Sequence, residues 1–294
     1  MNAPGEGARL SDRQRLAWLQ LLRSENVGPV TFRQLVNHYG SAETALEMLP
    51  ELAQRGGAKR QIVIASRADA EREMEEARRL GAAFVAVGEA DYPPLMRRMD
   101  QPPPLLAMKG DLSIVHRPTV ALVGARNASL TGMKMARQLA AALGSAGFSV
   151  ASGLARGIDA AAHQGSLDTG TIAALAGGLD KPYPPENCAL FEEIAERGTV
   201  LSEMPFGWPP RARDFPRRNR LVAGIAFGLV VVEAARRSGS LISARLAGEM
   251  GRLVFAVPGS PFDPRTGGTN ALLKDGAILV TEAEILVQAT PDVV

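Results

Sequence analysis

From Pro118 onward the chain alternates between two patterns, and this alternation limits its possible folds more than any other property. Apolar runs suited to β-strands recur at 120–124, 149–152, 171–176, 199–202, 229–233, 253–257 and 278–280, and helical patterns separate most of them. Strands that are apolar throughout need cover on both faces, and intervening helices supply the crossovers that parallel neighbours require. The expected class is α/β, a doubly wound and mainly parallel sheet.

The N-terminal part reads differently. Residues 10–49 carry helical patterns, with Ser11 and Gln14 spaced as a capping box, Leu16, Trp18, Leu19 and Leu22 as an apolar face, and Thr31 and Ser41 as further N-cap candidates. Asn26-Val27-Gly28-Pro29 is a tight turn of helix-hairpin-helix type, which either presents backbone N–H groups to phosphate or is a plain packing corner. Asp69 to Leu80 is another helix, closed by Gly81. A short strand, a proline-dense joint from Tyr92 to Pro104 and a second apolar run follow. These boundaries divide the chain into a small all-α segment at 1–82, a connection with the first strands at 83–118, and the α/β core at 119–294.

With 294 residues and 46% hydrophobic content there is material for a large core. The single cysteine, Cys188, excludes an internal disulfide, and three scattered histidines supply a metal site poorly. No apolar run approaches the roughly 18 residues of a membrane span, so a cytoplasmic protein without metal is expected. The net charge of +2 means that any anion site must arise from local clustering.

Ligands of doubly wound sheets bind beyond the carboxyl ends of the strands. Here those edges share one character. Gly124, Arg126 and Ser129 follow the first run; Ser152, Gly153 and Arg156 follow the second; Gly178 and Lys181 follow the third; Gly239 and Ser240 follow Arg236-Arg237-Ser238 after the fifth; Pro258-Gly259-Ser260 follows the sixth. Glycine admits close backbone approach, while serine and arginine donate hydrogen bonds, so the rim suits a phosphate-bearing ligand. The stretch from Pro205 to Asn219 reads as a long loop. With Arg220 it brings Arg211, Arg213, Arg217 and Arg218 together with Phe206, Trp208 and Phe215. Phosphate clamps beside flat aromatic faces suit single-stranded nucleic acid.

Several catalytic signatures are absent: no G-x-S-x-G elbow, no G-x-x-x-x-G-K-[ST] loop, and no second glycine at Arg126 for a dinucleotide. His163 stands four residues after Asp159, a spacing that permits a general base but suits packing or capping better, because no nucleophile is tied to it. Glu203 and Glu233, at strand ends, could accept from a base edge or orient an arginine.

With these residues in view, the chain resembles the DNA-processing protein A (DprA, or Smf) family. The resemblance rests on YPPLMRRMDQPPPLLAMKGD, VALVGARNAS, ASGLARGIDAAAH, GGLDKPYPPEN, SEMPFG, FPRRNRLVAGIA, VVEAARRSGSLISARLAGEMGRLVFAVPG and GGTNALLKDGA. It implies an extended Rossmann-like core that binds single-stranded DNA, preceded by a helical domain like the sterile-alpha-motif (SAM-like) fold. It further implies a homodimer that loads RecA recombinase during natural transformation, with no catalysis and no cofactor. The family's DNA-facing arginine falls on Arg126, its FPxRNR segment on Phe215 to Arg220, including Arg217, Arg218 and Asn219, and its SGSLI segment on Ser238 to Ile242. Two departures stand out. Pro185 replaces a basic residue common after Tyr-Pro, which leaves that phosphate contact missing or moved to Lys181; and the sequence ends at Val294, where many relatives continue into a winged-helix-like module that is either absent or cut away.

The competing reading is an enzyme, a phosphoribohydrolase of the lysine-decarboxylase-like type. Its PGGxGTxxE signature has no counterpart, since Arg237 to Ala244 holds no acid in register.

Overall fold

A computed structural model describes residues 9–55 and 62–290, in two compact units. Val294 and the outer ends of the segments expected at 1–82 and 119–294 lie outside the described residues.

The first unit contains four helices, α1 (Asp12–Arg23), α2 (Pro29–Tyr39), α3 (Ala42–Arg55) and α4 (Arg67–Arg79), then strand β1 (Ala82–Ala86) and the first half of β2 (Leu105–Gly110). The Ser11–Gln14 capping box forms as the spacing predicts, and the Ser41 hydroxyl accepts from the Thr44 N–H to cap α3. Thr31 is not a cap: α2 begins two residues earlier at Pro29, whose fixed φ and missing N–H suit a first helical position. Trp18 meets Phe32 edge to face at 4.9 Å in a core shared with Leu19, Leu21 and Leu35. Below it, Arg15 donates to both Glu89 carboxylate oxygens and to the Phe84 carbonyl, while the Leu10 and Ala86 N–H groups donate to the same carboxylate. Burial pushes the Glu89 carboxyl up, and these donors more than reverse it, holding it below the usual carboxylate range.

The one-turn helix α5 (Pro94–Arg97) lies in the proline-dense joint. The second unit then carries seven strands, β3 (Thr119–Val123), β4 (Ser149–Ser152), β5 (Thr171–Ala174), β6 (Thr199–Ser202), β7 (Gly228–Val231), β8 (Leu253–Ala256) and β9 (Ile278–Leu279). Each coincides with one of the seven apolar runs. They pair in parallel in the order β6-β5-β4-β3-β7-β8-β9, with Val120 opposite both Val150 and Gly228. Helices α6 (Leu130–Ser145), α7 (Ile158–Ser166), α8 (Cys188–Arg197), α9 (Asp214–Ile225), α10 (Ser240–Glu249), α11 (Gly267–Lys274) and α12 (Ala283–Gln288) complete the unit. Val120, Leu122, Val150, Val230 and Phe255 pack on one face against Leu139 and Leu143 of α6, Ile158 of α7 and Leu286 of α12. Because crossovers are right-handed, the reversal of chain progression at β3 sends α9 and α10 to the other face. That reversal lies between β3 and β7, and it opens a crevice at their carboxyl ends.

Candidate nucleic-acid interface

The crevice is a cleft of about 910 Å³ within the second unit. One wall is the turn after β3. Here the Ala125 N–H donates to the Glu233 carbonyl, the Ile158 N–H donates to the Ala125 carbonyl, and Arg126 is left exposed. The opposite wall is the turn after β7, where Arg237, Ser238, Gly239 and Ser240 lead into α10. The start of α9 closes a third side with Phe215, Arg218 and Asn219.

Phe215 is the centre of this arrangement. The Arg126 guanidinium carbon stands 4.8 Å from its ring centroid and that of Arg218 stands 6.0 Å away, while Tyr183 meets the ring edge to face at 5.7 Å. Among the described residues neither Arg126 nor Arg237 makes an ion pair. Two uncompensated cations beside a partly exposed aromatic pair give the cleft attraction for anions and a surface on which a base can stack.

The stretch from Pro205 to Asn219 is not one loop. Helix α9 starts at Asp214, so Arg217, Arg218, Asn219 and Arg220 are helical, and Pro216 sits in the first turn, where its missing N–H costs no hydrogen bond. This placement separates the arginines. Arg217 donates to Glu203 at 2.9 Å, and Arg220 donates to the same carboxylate, which makes Glu203 an orienter of arginines. Neither arginine lines the cleft. Trp208 is also drawn away: its indole donates to Asp214 and Arg211 stacks on it at 4.4 Å. Of the three aromatics named from the sequence, Phe215 alone lines the cleft.

Several rim residues turn out to hold the fold together. The Ser152 hydroxyl is fully buried and donates to the Leu122 carbonyl. Ser129 caps α6 and also donates to the Glu233 carboxylate. The Gly178 N–H donates to the Trp208 carbonyl, Lys181 pairs with Asp180 at 3.5 Å, and Arg156 pairs with Glu186 at 3.5 Å beside the cleft mouth. Gly153 is glycine because a Cβ there would lie 0.9 Å from Nη1 of Arg218, so close approach serves a side chain of the protein itself. Gly124, Arg126, Phe215, Arg218, Asn219, Gly239 and Ser240 all reach the cleft.

Asn127, which the sequence places with Arg126 in the turn after the first run, lines the cleft as well; sequence reasoning did not select Tyr183 or Arg265, which also line it. The signal available for Arg265 was its place in the segment after the sixth apolar run, five residues beyond Ser260. Tyr183 lies in the GGLDKPYPPEN segment that carries the family resemblance, but its residue type and spacing gave it no role there.

Asp159, which lines the cleft, and His163 behind it share one face of α7, as their spacing predicts, and neither is arranged for proton transfer. His163 is fully buried, accepts from the Leu154 N–H at Nε2 and contacts the Thr171 hydroxyl with Nδ1 at 2.7 Å. Because Nε2 accepts, the proton resides on Nδ1. Burial, together with the nearby Arg218 charge, pushes the imidazole down to about 3, so it is neutral at ordinary pH. Asp159 accepts from the Gly153 and Ala155 N–H groups and lies 3.7 Å from Arg218. Among the described residues no three His, Cys, Asp or Glu side chains gather as a metal site, and no helix is long and apolar enough to cross a membrane.

Comparison with known proteins gives the family and the fold. Residues 83–291 match the family described as DNA recombination-mediator protein A, and residues 12–76 match a DprA-like N-terminal HHH domain. The Smf protein of Synechocystis sp. is 36% identical over 292 residues, covering 94% of this chain and 73% of that protein. The crystal structure of DNA processing protein A from Streptococcus pneumoniae superposes with a TM-score of 0.80 at 28% identity, covering 97% of this chain and 99% of the other. DNA processing protein A from Helicobacter pylori, whose structure concerns its single-stranded DNA binding mode, gives 0.65 at 29% identity over 70% and 94%.

Proposed function

The chain belongs to the DNA recombination-mediator protein A family, and from that premise we propose that it captures single-stranded DNA in the cleft between β3, β7 and α9. The observation that carries this reading is Arg126, unpaired and stacked on Phe215 at the cleft mouth. Arg126 and Arg237 attract the strand backbone, and a base stacks on the Phe215–Tyr183 pair. Double-stranded DNA binds less well, because a crevice at a sheet edge admits splayed strands and not a B-form groove. The protein then acts without catalysis, as a cytoplasmic homodimer that shields an incoming strand and hands it to RecA recombinase. The relative whose structure concerns single-stranded DNA supports the ligand class.

Titration with labelled oligothymidylate at several salt concentrations tests this. Arg126→Ala should weaken binding and reduce the log–log salt slope by about 0.7 per lost phosphate contact. An unchanged slope would remove Arg126 from the phosphate path. Free base released from nucleoside monophosphates over many turnovers would favour the phosphoribohydrolase reading instead.

A further inference from the structure

Arg218 is an unusual member of the cleft wall. Its side chain is 6% exposed, and its charge partner Asp159 is 7% exposed. The pair is 3.7 Å apart, too long for a hydrogen bond, and Nε of Arg218 has no hydrogen-bond partner among the described residues. A guanidinium carries five N–H donors, and a buried donor left unbonded is costly. The fold nevertheless reserves this position, since Gly153 is bare to make room for Nη1. Asp159 meanwhile spends the same oxygen, Oδ2, on two backbone N–H groups at 3.2 and 3.4 Å and on Arg218.

These contacts describe an arginine whose charge is balanced while its buried Nε donor is left without a partner among the described residues. A phosphate oxygen at the cleft floor would supply what Asp159 does not, a short charge-assisted hydrogen bond to a fork that is already desolvated. Building on the single-strand reading above, we infer that Asp159 is an internal counter-ion that stands in for a strand phosphate at Arg218 and competes with it, so that its charge restrains the affinity of the cleft. Before the strand arrives, Asp159 keeps the buried guanidinium compensated. Once a phosphate is bound, Arg218 swings its donors to that phosphate, and the Asp159 carboxylate opposes the new anion. Burial pushes the Asp159 carboxyl up and the Arg218 guanidinium down, in line with a pair that solvates each charge incompletely. Asp159 lines the cleft, and its role is that of a positioning residue acting through Arg218.

The test compares the full chain with Asp159→Asn and Arg218→Lys, using oligothymidylate binding and thermal unfolding with and without oligonucleotide. Asparagine keeps an oxygen for the Gly153 and Ala155 N–H groups but carries no charge. Asp159→Asn should lower the melting temperature of the free protein, yet bind about three- to tenfold more tightly, with its melting deficit shrinking at saturation. Arg218→Lys, which loses the planar fork, should bind about tenfold more weakly. A pair that merely holds the fold would weaken binding in both variants. A folded Asp159→Asn that binds no better than the unaltered chain overturns the inference, as does an Arg218→Lys of unchanged affinity. Should Asp159→Asn not fold, the arginine Nε–Hε resonance of Arg218 in the unaltered protein decides: it should shift and exchange more slowly on saturation, and an unmoved signal overturns the inference. If the unaltered chain binds no oligonucleotide, the single-strand reading itself fails; if it binds and the variants do not diverge, only the role of Asp159 fails.

Discussion

Acid should destabilise the core unit through one imidazole. His163 is fully buried with its ring nitrogens engaged by Leu154 and Thr171, and its folded pKa falls from 6.5 to about 3. A folded state that resists the proton binds fewer protons than the unfolded chain, so stability is complete above pH 6.5 and is lost as the pH falls toward 3. At 1.36 kcal/mol per pKa unit the whole effect is about 5 kcal/mol, and at pH 5 about 2 kcal/mol of it is already gone. Urea unfolding of the unaltered chain and of His163→Gln, each at pH 7.5 and pH 5, measures this directly. The variant is less stable at pH 7.5 because it loses the bond to Thr171, but it lacks the titrating group. Subtracting its pH dependence from that of the unaltered chain should leave about 2 kcal/mol. A difference below about 0.5 kcal/mol would refute the burial argument, since a group free to take a proton in the fold contributes no such slope.

Two further expectations concern stability. Arg15→Ala strips the buried Glu89 carboxylate of its cation and should cost about 3–5 kcal/mol, read from the unfolding of the first unit; a loss under about 1 kcal/mol would show the pair to be dispensable. Ser129→Ala removes the α6 cap and the hydroxyl donor to Glu233 together, and should cost about 1–2 kcal/mol by urea denaturation; a cost near zero would mean that water replaces both.

The fold was legible because burial on two faces leaves a strong trace. Seven apolar runs, of which only 229–233 carries a charge, at its end, point to strands, and the structure places a strand in each, six of them largely covered and the edge strand β9 exposed. The start of α9 was hidden, because Phe-Pro-Arg-Arg-Asn reads as a loop and proline disguises a first turn that tolerates it. The edges that line the cleft were legible too, since β3 and β7 meet at the only reversal of strand order among the described strands of this unit. What the sequence cannot show is which cation keeps its charge. Arg217 and Arg220 are neutralised by Glu203, which precedes them by 14 and 17 positions, and Arg218 faces Asp159, which precedes it by 59.

That distribution of counter-ions turns a cluster of similar residues into a site with distinct parts. Counting arginines around Phe215 suggests a uniformly basic surface, whereas pairing divides them by role. Glu203 ties Arg217 and Arg220 of α9 to the end of β6 and removes most of their pull on a distant anion. On the single-strand reading, Arg126 and Arg237, which make no ion pair among the described residues, would supply the long-range attraction and the salt dependence. Arg218, balanced but unbonded at the floor, contributes only after a phosphate comes close enough to displace Asp159. Affinity in such a cleft is therefore governed less by the number of basic residues than by where the four carboxylates Asp159, Glu203, Asp214 and Glu233 are buried beside them. A change of one of those acids should alter binding more than the loss of an exposed arginine at the rim.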